Sequence, residues 1–406
     1  MRDECVIGTP LSRINRPVQA LTRTVGSVDL PLLLAAIGAV LSAGCSSAPT
    51  NVPGVATGAG GNGSSLPGGG SGGASIPDGP PPLFDAAPVG WAAVADLGLN
   101  GTTGGEGGPA VEVSTLEDFA AQVGTPGPRV VYLSGVVGDG RRVTIQSNIS
   151  VIGRGGAELR GGLRVDGGSN VIIRNLKVVG NNCSDSPTDC SGGADAIGIG
   201  DGAHHVWIDH CDVSDGSDGN LDVNHQSDYI TISWTRFSYS GQRPGGHQFS
   251  NLIGSSDDSP SDAGHLRVTW HHNWWAENIH ERMPRVRYGR VHLFNNLYTS
   301  SGNDYCIGLG YYANLLTENN AFFQVKDPIN STNYSNSQSV VISHGNLYVA
   351  TSGTISDKGF PEEVFAPPYP YVLDAANDVE ALVKNGAGTC SPPLVFGTTP
   401  ALTCAR

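Results

Sequence analysis

The chain has 406 residues, 57 of them Gly and 39% hydrophobic, which suits one large, turn-rich globular body and excludes disorder throughout. A formal net charge of −14 excludes a phosphate-backbone binder of the usual electrostatic kind, so nucleic acid is not an expected partner. An acidic polymer could bind only through a local cationic groove or a bridging metal.

Arg13, Arg16 and Arg23 precede an apolar stretch at 30–41, which has the length of a signal-peptide hydrophobic region and is too short to span a bilayer. The small residues Ser42, Ala43 and Gly44 before Cys45 resemble a bacterial lipoprotein cleavage box, with Leu41 one place early. Acylation of Cys45 and simple secretion therefore both stay open. Residues 1–45 are read as an export signal, which places the mature chain outside the cell or on its outer surface. Residues 46–82 contain 11 Gly, 7 Pro and 6 Ser with Asp78 as the only charge, so 46–87 is read as a flexible tether. Residues 88–406 form the body, expected to act as a monomer. Cysteine usage in an exported chain points to disulfides. Cys183 with Cys190 and Cys390 with Cys404 are close enough in sequence to close local loops. Cys211 and Cys306 are either buried thiols or a third pair.

The body repeats one octet: VIIRNLKV from Val171, VWIDHCDV from Val206, ITISWTRF from Ile230, VTWHHNWW from Val268, VHLFNNLY from Val291, LLTENNAF from Leu315 and VISHGNLY from Val341. A period of about 24 residues with two insertions, at 180–203 and 238–265, is solenoid spacing. A unit of that length built from short strands and turns is one coil of a right-handed parallel β-helix, an all-β fold. Asn175, Asn295 and Asn319 share one repeat position and are expected to stack their amides along the axis. The two insertions are expected to project as loops on one side and to build a binding face. Near the end, Asp374 is expected to cap a helix that places Val379, Leu382 and Val383 on one face and stops at Gly386, covering an end of the solenoid or packing along its side.

Three clusters carry chemistry. Asp195, Asp218 and Asp222 form an all-oxygen set suited to calcium, provided that the chain bends at Gly219; a solvated acidic turn is the alternative. Arg282, Arg285, Arg287 and Arg290 surround Pro284 within nine residues, and guanidinium forks bind carboxylates bidentately. The set Trp270, His271, His272, Asn273, Trp274, Trp275 and His280 is read as mainly structural, because alternate side chains of a strand point into the core.

The ordered motifs GWAAVADLGLNGTTGGEGG, ADAI, VWIDH, DGNLDV, YITISWTRF, LIGSSD, HHNWW, ERMPRVR and VHLFNNLY, over about 88–390, resemble the pectate lyase family of β-helix polysaccharide lyases. That resemblance implies a calcium-dependent pectate lyase cleaving α-1,4-linked polygalacturonate by β-elimination to 4,5-unsaturated oligogalacturonates. It implies Asp195, Asp218 and Asp222 as calcium ligands, Arg282 as catalytic base and Arg287 as a binder of substrate carboxylate, with Arg285 beside it. Two positions depart from the family: Gly193 where an Asp is common, and Phe249 where a substrate-binding Lys is expected. Arg243 or His247 could replace that Lys charge. A guanidinium is normally always protonated, so its use as a base implies an alkaline pH optimum. The VWIDH segment, with Trp207, Asp209 and His210, is read as structural. Alternative readings are a calcium-independent pectin lyase acting on methyl-esterified polymer and a non-catalytic polysaccharide-binding β-helix. A polygalacturonase is disfavoured because the NTD and GHG marks of that class are absent.

Overall fold

A computed structural model describes residues 87–180, 194–242, 246–331, 338–359 and 363–390, all within a compact unit spanning Ser75–Arg406. The export-signal, tether and Cys45 assignments, Gly193, Arg243, Cys183, Cys190 and Cys404 lie outside the described residues.

The repeated octets align residue for residue. Val171, Val206, Ile230, Val268, Val291, Leu315 and Val341 are lateral partners on successive coils, joined by parallel pairing throughout. Ile149 extends this row one coil earlier, as the partner of Val171. All of them are fully buried in one continuous core, where each aliphatic side chain contributes about 1.5–3 kcal/mol.

The fifth octet position turns the chain through the left-handed region at every coil: Asn175, His210, Trp234, His272, Asn295 and Asn319 have φ of 54, 48, 47, 55, 52 and 48°, and Gly345 has 63°. Such a turn favours Asn and Gly and costs energy for His and Trp. Here Trp234 stacks on His272 at 4.2 Å and on His210 at 5.7 Å, which offsets part of that cost.

The expected Asn stack lies one position later. Asn273, Asn296, Asn320 and Asn346 form the ladder, each amide donating to the next Oδ1 at 2.9–3.1 Å. The Asn residues at the turn face outward instead: Asn295 and Asn319 donate to the Asp374 carbonyl at 2.9 and 2.8 Å, and Asn175 accepts from the Cys390 backbone. They hold a C-terminal strap to the flank.

A second sheet has eight strands: β1 (Arg142–Thr144), β2 (Gly162–Asp166), β3 (Ile197–Gly200), β4 (Leu221–Val223), β5 (Asn251–Ile253), β6 (Arg285–Val286), β7 (Ile307–Leu309) and β8 (Ile329–Asn330). The insertions at 180–203 and 238–265 each contain a strand of this sheet, β3 and β5, and so are only partly loops.

Two α-helices lie among the described residues. α1 (Leu116–Val123) was not legible as a periodic segment, yet it starts with a local signal: Thr115 accepts from the Asp118 backbone at 3.2 Å, and Glu117 and Asp118 occupy the first turn. Leu116, Phe119 and Val123 join the core. α2 (Val379–Gly386) begins after Asp378, not at Asp374, whose carboxylate is taken by His272 Nε2 at 2.8 Å. Val379 and Val383 are buried against Leu297 and Ala321, so α2 packs along the side of the solenoid, while Leu382 is 38% exposed. Cys211 and Cys306 are buried free thiols.

Candidate active site

The outward row of the eight-stranded sheet aligns the chemistry. Thr144, Arg164, Gly198, Asp222, Leu252, Arg285, Gly308 and Asn330 are lateral partners on successive strands, about 4.8 Å apart. Their neighbours Ile197, Ile199, Leu221, Val223, Ile253 and Val286 point into the core. Period-two alternation thus puts an acid at the middle of an outward row and an arginine two coils away on either side.

Asp195 stands just before β3, and Asp218 before β4. Ser217 and Asp218 donate their backbone N–H groups to the Ala194 carbonyl at 2.9 and 3.3 Å, which sets the two acidic turns side by side. A Cβ on Gly219 would stand 2.9 Å from Asp195 Oδ1 and 3.1 Å from Asp222 Oδ1, so these oxygens lie no more than about 6 Å apart across a gap that only glycine leaves open. Asp195 Oδ1 is buried and without a hydrogen-bond partner. Burial, then the charge of Asp218, pushes the Asp195 carboxyl up to about 7, with Arg164 and Arg142 opposing. Burial and the charge of Asp195 likewise push Asp222 well above the ordinary carboxylate range, although its Oδ1 accepts from the Leu252 backbone at 2.9 Å.

Asp195 and Asp222 therefore converge as two crowded carboxylates, a donor set that a hard divalent cation would neutralise. Asp218 is turned aside toward His247, whose Nε2 lies 3.3 Å from its Oδ1. Among the described residues no three His, Cys, Asp or Glu side chains are already grouped around one point. The donor chemistry and the unpartnered oxygen fit calcium, with Asp218 as the ligand that must swing in.

Arg282 follows on the next coils. Its carbonyl accepts from the Asn251 backbone at 2.7 Å, its charge is felt at Asp222, and its backbone has φ 65°. Its guanidinium lies over the Phe249 ring at 4.1 Å, and its Nε is buried without a hydrogen-bond partner. Phe249 also touches His247, ring centres 4.2 Å apart, so His247 faces the acids rather than an open anion site. Arg285 lies in β6 on the outward row. Arg287 is buried and committed: Nε to Asp257 Oδ1 at 2.6 Å, and Nη1 to the Gly254 and Ser255 carbonyls at 3.0 and 3.2 Å. Burial and the nearby Arg285 lower its pKa, against the Asp257 bond. Arg290 is exposed and lies beyond this row.

Two groups escaped the sequence reading. Arg142 and Arg164 flank the acids from the N-terminal side, with Arg164 forked onto Asp166 at 2.7 Å; nothing in spacing signals them, because they precede the acids by more than thirty residues. The Trp and His set mostly faces away: Trp270 and Trp275 are core residues, and His271 and His272 lie on the flank. In the VWIDH segment Asp209 is buried and bonded to Arg174, His210 and Ser233, which ties neighbouring coils together.

A family model described as pectate lyase matches residues 81–390. A pectate trisaccharide-lyase of Bacillus licheniformis is 34% identical over 325 residues, covering 76% of this chain and 87% of its own length. A probable pectate lyase A of Aspergillus niger is 36% identical over 317 residues, covering 74% and 89%. A solved pectate lyase bound to a hexasaccharide superposes with a TM-score of 0.59 at 24% identity, covering 77% of this chain and 99% of that one, a likeness of fold.

Proposed function

The chain belongs to the pectate lyase family of polysaccharide lyases, and from that premise we propose that it cleaves α-1,4-linked polygalacturonate by calcium-dependent β-elimination, releasing 4,5-unsaturated oligogalacturonates. The observation that carries this reading is the convergence of the half-buried Asp195 and buried Asp222 carboxylates beside the Arg282 guanidinium.

Asp195 and Asp222, joined by Asp218, would hold calcium. When bound, the ion neutralises the polyanion and withdraws electron density from the sugar carboxylate, acidifying the adjacent C5 hydrogen. Arg282 takes the C5 proton, the C5–H electrons form the C4–C5 double bond, and the C4–O bond breaks, its oxygen leaving with a proton. No water is consumed. Phe249 orients the Arg282 guanidinium through its face. Arg285 lies on the same row for a substrate carboxylate, and Arg287 shapes the edge through Asp257. His247 would keep its contact to the Asp218 carbonyl, 3.1 Å from Nε2, when that carboxylate turns to the metal, and so would steady the acidic turn.

Export, with or without acylation of Cys45, and action as a monomer complete the proposal. The apolar stretch at 30–41 and the Gly-rich tether support the first.

The test is incubation of the protein with polygalacturonate at alkaline pH while following absorbance of the unsaturated product, with calcium and then with chelator. Product only with calcium is expected, and Arg282→Ala should abolish turnover while leaving calcium-dependent binding. Product in chelator, with preference for methyl-esterified polymer, would replace this reading with a pectin lyase, as the aromatic Phe249 would then suggest. Binding without product from either polymer would indicate a non-catalytic β-helix.

A further inference from the structure

The turns that follow β6 and β7 carry three tyrosines outside the cleft. The Tyr288 and Tyr312 rings stack with centres 5.9 Å apart at 18°, and Tyr311 stands edge-on to both, at 5.6 and 4.5 Å. Tyr288 anchors the group: its hydroxyl donates to the Asp257 carbonyl at 2.5 Å, and its backbone N–H to the Tyr311 carbonyl at 2.8 Å. Tyr312 is 43% exposed. The three rings border an open cleft of about 720 Å³ whose rim includes Asp258 and Arg290. Neither of those two side chains has a hydrogen bond or ion pair among the described residues, so both are available to a ligand.

Tyr288 and Tyr311 pack on the solenoid core and are held by it, whereas Tyr312 stands outside that core. An open cleft walled by aromatic faces, with one acceptor and one donor at its rim, matches a pyranose, whose C–H face lies on a ring while its hydroxyls reach polar groups. The charge of the rim points to the class of sugar. Asp257 is already paired with Arg287, and Asp258 and Arg290 carry opposite charges on the rim, so the cleft offers no net positive charge to draw a polyanion. Asp257 links the platform to Arg287, bonding Arg287 by its side chain and Tyr288 by its carbonyl.

We propose that Tyr288, Tyr311 and Tyr312 form a second glycan-binding platform, separate from the cleavage cleft, which takes uncharged pyranose units: methyl-esterified galacturonate or neutral sugars of a pectic polysaccharide. This rests on the chain acting on such a polymer.

The test is affinity electrophoresis of the full chain in chelator, through gels containing either highly methyl-esterified polygalacturonate or a neutral β-1,4-galactan. Retardation in at least one gel is expected, the gel identifying the source. Tyr312→Ala should weaken it on the order of tenfold and Tyr312→Phe should keep it, with turnover of a short unbranched trigalacturonate unchanged in both. No retardation in either gel, or equal retardation of Tyr312→Ala, overturns the platform. A dimer at working concentration that Tyr312→Ala dissociates would overturn it too, assigning the rings to a second copy. Wild-type turnover of polygalacturonate with calcium is measured alongside, so that loss of the lyase reading is scored separately from loss of the platform.

Discussion

The Arg282 guanidinium rests 4.1 Å from the centre of the Phe249 ring, while its Nε is buried without a hydrogen-bond partner. An aromatic face and a left-handed backbone, rather than an ion pair, therefore aim this side chain. Cation–π contacts of this exposure contribute about 0.5–1 kcal/mol. Phe249→Ala should lower kcat about two- to fivefold with little change in KM, and Phe249→Tyr should restore it. Initial rates on polygalacturonate decide; an unchanged kcat in the Ala variant would remove Phe249 from the positioning of the base.

The crowded acids make a prediction about pH and metal together. With the Asp195 carboxyl at about 7 in the fold and near 3.8 when unfolded, the folded chain holds more protons than the unfolded one between those values. Stability of the chelated protein therefore falls as pH rises through about 4 to 7. Calcium should raise Tm much more at pH 8 than at pH 5. Asp218→Asn removes the charge that opposes Asp195, so the chelated variant should lose less Tm between those pH values, and calcium should raise it less. Thermal unfolding at the two pH values is the measurement, and a flat, calcium-insensitive Tm in the wild type would dissolve the pair as a metal site.

Asn296 donates to the Trp270 carbonyl and to Asn320 Oδ1, both at 2.9 Å, and accepts from Asn273 at its own Oδ1, all in a fully buried position. Asn296→Ala leaves several buried groups unpaired and should cost about 2–4 kcal/mol, since each such group costs about 1–3. Denaturant unfolding would show it as a lowered midpoint; a loss below half a kcal/mol would mean that the ladder relaxes around the gap.

Arg287 pairs with the Asp257 carboxylate through its Nε. Asp257→Ala should let Arg287 wander and raise KM for polygalacturonate several-fold while kcat stays within about twofold, because the base and the acids are untouched. Steady-state kinetics separate the two parameters, and a fall confined to kcat would move Arg287 from binding into the chemical step.

Most of the solenoid was legible in the chain itself, because each octet buries the same positions and lateral stacking repeats that demand at every coil. Val171 through Val341 pair as the alignment requires. The ladder was misplaced by a single residue, for a physical reason: Asn at a left-handed turn and Asn stacked along the axis are both favoured, and adjacent pairs such as Asn295–Asn296 do not say which takes which role. The helix start was misplaced because Asp374 had a competing partner, His272, more than a hundred residues away. The acids, Arg282 and Arg287 could be named from residue types and motifs. Their relation could not, since strands of two or three residues such as β4 and β6 carry no periodic signal of their own. Only coil-on-coil register sets Asp222 two strands from Arg285, puts Arg164 on its other side, and brings Asp195 within reach across Gly219. Repetition of buried side chains is a local property that a sequence can display, whereas convergence of side chains from separate coils arises only once the backbone has wound.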